Sequence, residues 1–187
     1  MKAPKITTGK PALSGLFCYF LLTLLPAQGQ DSLTIQIPEA WLGHWQGQMT
    51  IDNGRGPVMQ VFVALHIEAS TANTWQWQIR YGQGDSAQVR NYALKARNAH
   101  KGQYLIDELN SIVLPAFFTQ QTLISFFEVQ GNLIQTIYRL EGESLFFENA
   151  VAKMALSALT GGKESEDIPP VRTYPVVSLQ RARLEKK

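Results

Sequence analysis

The chain has 187 residues, of which 45% are hydrophobic, and 17 Lys and Arg stand against 15 Asp and Glu. A net charge of +2 gives no broad basic field, so nothing in the composition points to nucleic acid. The single cysteine, Cys18, excludes a disulfide framework.

The first segment reads as a targeting sequence. Lys2, Lys5 and Lys10 precede an apolar stretch from Leu13 to Leu25; Pro26 breaks it, and the small residues Ala27 and Gly29 follow at cleavage spacing. The stretch is well short of the ~20 residues that span a bilayer. The expectation is a signal peptide over residues 1–29 and one domain over 30–187, exported to the periplasm or outside the cell. Its removal takes three lysines and no acid, leaving 14 basic and 15 acidic residues. Cys18 goes with it. An exported, cysteine-free domain suits a bacterial envelope protein.

From Trp45 the pattern has period two. Trp45, Gly47, Met49 and Ile51 share one face, with Gln46, Gln48 and Thr50 on the other. The turn cluster Asp52–Pro57 separates this strand from the alternation of Met59–Glu68. Next comes "TWQWQIRYG", with Trp75, Trp77, Ile79 and Tyr81 opposite Gln76, Gln78 and Arg80. "QVRNYALKAR" places Tyr92 and Leu94 together. "QYLIDELN" and "SIVLPAFF" follow, and Pro115 argues for an edge or a bend in the latter. "TLISFFEVQ", "LIQTIYRLE" and "SLFFE" are joined by Gly131-Asn132 and Gly142-Glu143, tight-turn pairs that make a meander. The period then changes. "NAVAKMALSALTGG" is rich in helix formers, with Asn149 as a cap and Gly161-Gly162 as a stop, and it predicts a helix of about three turns. A polar, proline-containing loop leads to a last strand, "VVSLQRARLEK". Many short strands at regular spacing favour a barrel or a sandwich.

Strands, then a helix, then a final strand is the element order of the lipocalins. Gly43-His44-Trp45 resembles the G-x-W of the lipocalin and wider calycin families. The resemblance implies a mainly β fold: an antiparallel, eight- to nine-stranded up-and-down barrel of calycin type with one short C-terminal helix. It also implies that "IPEAWL" (Ile37–Leu42) forms a turn at the closed end. Gly43 and Trp45 would plug the floor, with Arg181 or Arg183 stacked on the tryptophan by a cation–π contact. The family's middle T-D-Y motif has no counterpart near Leu140–Ser144. That points to a looser calycin-like barrel rather than a lipocalin proper.

Such a barrel encloses one face, with space for one small ligand. The aromatic set Trp75, Trp77, Tyr81, Tyr92, Phe127 and Tyr138, joined by Phe147, is the candidate lining for a small apolar molecule. Arg80 and Arg139 alternate with apolar residues and belong outside. A filled interior would instead leave an envelope structural or interaction protein, and a polar cluster in the barrel mouth would suggest an enzyme.

Catalytic and cofactor motifs are lacking. No G-x-S-x-G, phosphate loop or H-E-x-x-H occurs. His44, His66 and His100 have no second metal ligand at i+2 or i+4. Haem-binding barrels of calycin type use an inward histidine; His66 belongs to a polar face and His100 to a turn. Asp107 and Glu108 are adjacent, so on a strand they point to opposite faces and form no acid/base pair. Asp107 with Asn110 reads as a side-chain-supported turn.

Overall fold

A computed structural model describes residues 37–187. The segment read as a signal peptide lies outside the described residues.

Twelve strands follow one another. They are β1 (Gly43–Asp52), β2 (Met59–Thr71), β3 (Thr74–Tyr81), β4 (Gln88–Asn98), β5 (Gln103–Asp107) and β6 (Val113–Thr119). The remainder are β7 (Thr122–Val129), β8 (Asn132–Glu141), β9 (Ser144–Lys153), β10 (Ala158–Lys163), β11 (Ile168–Thr173) and β12 (Val176–Lys186). Ten of them close into an antiparallel barrel, in the order β1-β12-β9-β8-β7-β6-β5-β4-β3-β2. Closure gives every barrel strand a partner on both sides over at least part of its length. β10 and β11 form a separate hairpin inserted between β9 and β12.

The expected mainly β, closed antiparallel barrel is therefore the observed one, with two corrections. The barrel has ten strands rather than eight or nine. The expected helix is also missing: β9 continues through Asn149 to Lys153, a single 3-10 turn covers Met154–Leu156, and β10 follows. The reason is tertiary pairing. Leu145, Phe147, Asn149 and Val151 keep the period of two, and β9 has a partner on each side, β8 and β12. Two ladders outweigh the modest helix preference of Ala, Met and Leu.

One end of the barrel is closed. A 3-10 turn at Glu39–Trp41 precedes β1 and buries Trp41 completely. Trp45 is also buried, and its indole Nε1 donates to the Trp41 carbonyl at 2.8 Å. Gly43 and Gly47 answer to local geometry. Gly43 has φ +115°, which disfavours a side chain, and the Lys186 methylenes pass over it. A Cβ at Gly47 would collide with the Arg183 carbonyl, so β12 could not approach β1 as it does.

At the other end the wall parts. β6 and β7 pair only from Ala116↔Ser125 down to Thr119↔Thr122. Above Ser125, β7 has β8 alone as a neighbour. Pro115 stands just past the last β6–β7 pair, where the missing N–H costs no bond to β7. Likewise β4 pairs with β5 only up to Ala93↔Asp107, leaving its first residues without that partner. No helix among the described residues is long and apolar enough to cross a membrane.

Candidate functional site

Alternation sends every second side chain inward, and depth along the strand decides what each one meets. The lower half is packed. Trp41 and Phe118 meet edge to face at 5.5 Å, Tyr104 and Phe118 at 6.0 Å, and Trp75 and Tyr104 at 6.0 Å. Above this floor lies an aromatic layer. Trp77 of β3 reaches Tyr138 of β8, five strands away around the barrel, at 4.9 Å. Tyr138 stacks on Phe147 at 4.7 Å.

Over this layer the barrel holds a cavity of about 460 Å³. Trp77, Tyr81, Tyr92, Phe127, Tyr138 and Phe147 supply its aromatic lining, and Leu94, Ile106, Leu123 and Ile134 are among its aliphatic neighbours. It reaches solvent at the parted end, since the lining includes exposed Ile112 and Val129. Of the aromatic set expected from the sequence, Trp75 alone lies elsewhere. It is the first inward residue of β3 and sits in the floor, about 6–7 Å below Trp77.

One wall carries a polar row absent from the sequence reading. Ser125, Thr136, Asn149 and Gln180 are register neighbours across β7, β8, β9 and β12. The Thr136 hydroxyl donates to Asn149 Oδ1 at 2.7 Å, and Asn149 Nδ2 donates to Gln180 Oε1 at 3.2 Å. Ser125, Thr136 and Asn149 line the cavity. The signal was present: each occupies the inward position of an otherwise apolar alternation, as Ser125 does between Leu123 and Phe127. Ser125 has no histidine or carboxylate as a hydrogen-bond partner among the described residues, so it is not arranged as an activated nucleophile.

Ionic groups stay at the mouth. Arg90, Glu108 and Glu128 are the lining residues with charge. The Arg90 guanidinium is drawn above its ordinary value by its hydrogen bond to Tyr92, and Tyr81 and Glu108 add to this. Asp107, which points away from the cavity, binds Lys95 at 2.7 Å and accepts the Leu109 N–H at 2.9 Å. Those two contacts hold its carboxyl below the ordinary value. With Asn110 accepting the Ile112 N–H at 3.1 Å, Asp107 supports the turn read from the sequence.

The phenols are held neutral. Burial raises Tyr138 and Tyr81 well above the ordinary tyrosine value, each reinforced by its neighbouring phenols. Tyr104 in the floor is pushed up to about 12, also by burial. An unfolded chain ionises its tyrosines near pH 10 while the native one keeps these protonated. The native state then binds more protons, so stability falls as the pH rises above about 10. For Tyr81 and Tyr138 together the expected loss reaches about 3 kcal/mol per pH unit. Denaturation midpoints between pH 8 and 11, read with phenolate absorbance, check this; a flat profile would contradict it.

The cation over the Trp45 ring is Lys186, its Nζ 5.2 Å from the centroid. Arg181 and Arg183, the expected partners, face outward. Arg181 pairs with Glu148 at 2.8 Å and Arg183 with Glu185 at 2.7 Å. Both border an outer groove of about 310 Å³ with Arg139, which pairs with Glu141. Arg80 is exposed and donates to the Gly84 carbonyl at 3.0 Å. His44 and His66 stack on each other at 4.0 Å, and His100 is exposed in a turn, so no histidine lines the cavity. No group of three metal-ligand residues occurs among the described residues.

No family model and no curated protein matches the chain. Solved structures do. A protein of unknown function from the DUF3598 family of Nostoc punctiforme aligns with a TM-score of 0.56 at 12% identity, covering 79% of this chain and 48% of its own. The chain thus spans about half the length of that protein. An S-type phycobiliprotein lyase from Guillardia theta aligns with a TM-score of 0.55 at 8% identity, covering 80% of this chain and 89% of its own. At these identities the likeness is one of fold.

Proposed function

We propose that this protein is an exported binder of a small, largely apolar molecule, held in the upper half of the barrel. The observation that carries the reading is the cavity of about 460 Å³ above the Trp77–Tyr138–Phe147 layer. Its size and its mostly apolar, aromatic lining with a few polar groups match small-molecule sites in general. Its fold likeness to a phycobiliprotein lyase agrees with a barrel that handles a ligand. Exposed Leu109, Ile112, Val113 and Val129 around the mouth would ease the passage of an apolar molecule.

Titration of the purified protein with N-phenyl-1-naphthylamine tests the reading. Saturable one-to-one binding with quenching of tryptophan emission is the expected result. Absence of saturable binding by this probe and by a panel of fatty acids, retinoids and porphyrins would favour an interaction protein instead. The proposed export rests on the N-terminal sequence alone. Mass spectrometry of the secreted product should show the loss of about 29 residues, as expected of a cleaved signal peptide.

A further inference from the structure

The polar row on the cavity wall says what kind of polar group the ligand carries. We propose that the site selects a planar, apolar molecule bearing a neutral carbonyl group, whose oxygen accepts from the Ser125 hydroxyl and the free Asn149 N–H. This rests on the cavity-binding reading above.

Ser125 is 4% exposed and lines the cavity, and its hydroxyl has no hydrogen-bond partner among the described residues. The hydroxyl is open to the cavity rather than sealed in the wall, since no fully buried side-chain polar atom among the described residues lacks a partner, and there a ligand acceptor can reach it. Ser125 also stands at the top of the β6–β7 pairing, where the wall parts and a ligand enters. Its neighbours bond to one another. Asn149 Oδ1 takes the Thr136 proton and Gln180 Oε1 takes one Asn149 N–H, which leaves the second Asn149 N–H free to donate. Two donors of the row, the Ser125 O–H and one Asn149 N–H, are thus without a protein acceptor, and the group that complements them is an acceptor.

The acceptor must be uncharged. No ionisable side chain other than the phenols Tyr81, Tyr92 and Tyr138 lines the cavity below the mouth, and the mouth holds two carboxylates against one guanidinium. A carboxylate carried to the depth of Ser125 would find neutral donors but no cationic partner, and would pass two like charges to get there. Planarity follows from the opposite wall. β8 and β9 face β3 and β4 across the barrel, so a group held at Asn149 lies opposite the aromatic side that carries Trp77 and Tyr92, where a flat ring packs best.

Three naphthalenes that differ at one position test this. They are 6-propionyl-2-(dimethylamino)naphthalene, the parent 2-(dimethylamino)naphthalene, and 6-(dimethylamino)-2-naphthoic acid. The ketone should bind about tenfold tighter than the parent, and the acid more weakly than either. Ser125→Ala should weaken the ketone by about five- to tenfold, leave the parent unchanged, and shift the bound ketone's emission to the blue as its carbonyl loses a hydrogen bond. Asn149→Leu should act in the same direction. Equal affinities for ketone and parent, with neither variant altering the ketone's emission, would overturn the carbonyl proposal and leave the cavity reading standing. If folded protein binds none of the three, the cavity reading falls and this proposal with it.

Discussion

Replacing Trp45 with alanine is expected to cost about 3–5 kcal/mol of folding stability, the usual range for a large buried aromatic. The residue is 2% exposed, ties the first strand to the entry turn through the Trp41 carbonyl, and lies under the Lys186 ammonium. Chemical denaturation of the wild type and the variant measures the loss. A midpoint unchanged within error would mean that the floor is not held by this side chain. The surrounding cations rank differently. Lys186→Ala should cost on the order of 0.5–1 kcal/mol through the lost cation–π contact. Arg181→Ala and Arg183→Ala remove exposed ion pairs, and with Arg183 a hydrogen bond to the Ser144 hydroxyl, and should cost about 0–1 kcal/mol.

The second large effect belongs to the layer under the cavity. Trp77→Ala should lower stability by about 3–5 kcal/mol and weaken N-phenyl-1-naphthylamine binding by about tenfold or more, since the ring both packs on Tyr138 and touches the ligand space. Trp75→Ala should destabilise the floor by a similar amount, yet leave the affinity of the folded protein nearly unchanged. Gln76→Ala lies on the outer face and should stay within about 0.5 kcal/mol on stability, with no effect on binding. Stability curves paired with titrations separate the three. If Trp75→Ala and Trp77→Ala weakened binding alike, the division between floor and cavity would be wrong.

Much of the barrel was legible because an enclosed face imposes one rule on every strand. The alternation in "TWQWQIRY" identifies the inward side without any knowledge of neighbours. It does not say how far up the barrel each residue sits, and so Trp75 and Trp77 share a face but not a role. Depth depends on the register and stagger of strands that are distant in sequence. The same rule, followed to the end of β12, points to the cation over Trp45. Ala182 and Leu184 are inward and buried, Lys186 continues their face, and the two arginines alternate outward. The polar row was hidden differently. Ser125, Thr136 and Asn149 are ordinary strand or turn residues in isolation, and only closure sets them side by side. The misread helix at Asn149–Gly162 shows the converse: local composition suggested one structure, and pairing of β9 with β8 and β12 and of β10 with β11 imposed another.

The central claim is that a ligand occupies the barrel's upper interior, and methyl-selective NMR tests it most directly. On saturation with 6-propionyl-2-(dimethylamino)naphthalene, the methyl signals of Leu94, Leu123 and Ile134, which line the cavity, should move together. Those of Val63 and Leu184, buried but outside the lining, should stay in place. Shifts confined to exposed methyls such as Leu109 and Val176, with the cavity methyls unmoved at saturation, would show surface adsorption and contradict the claim.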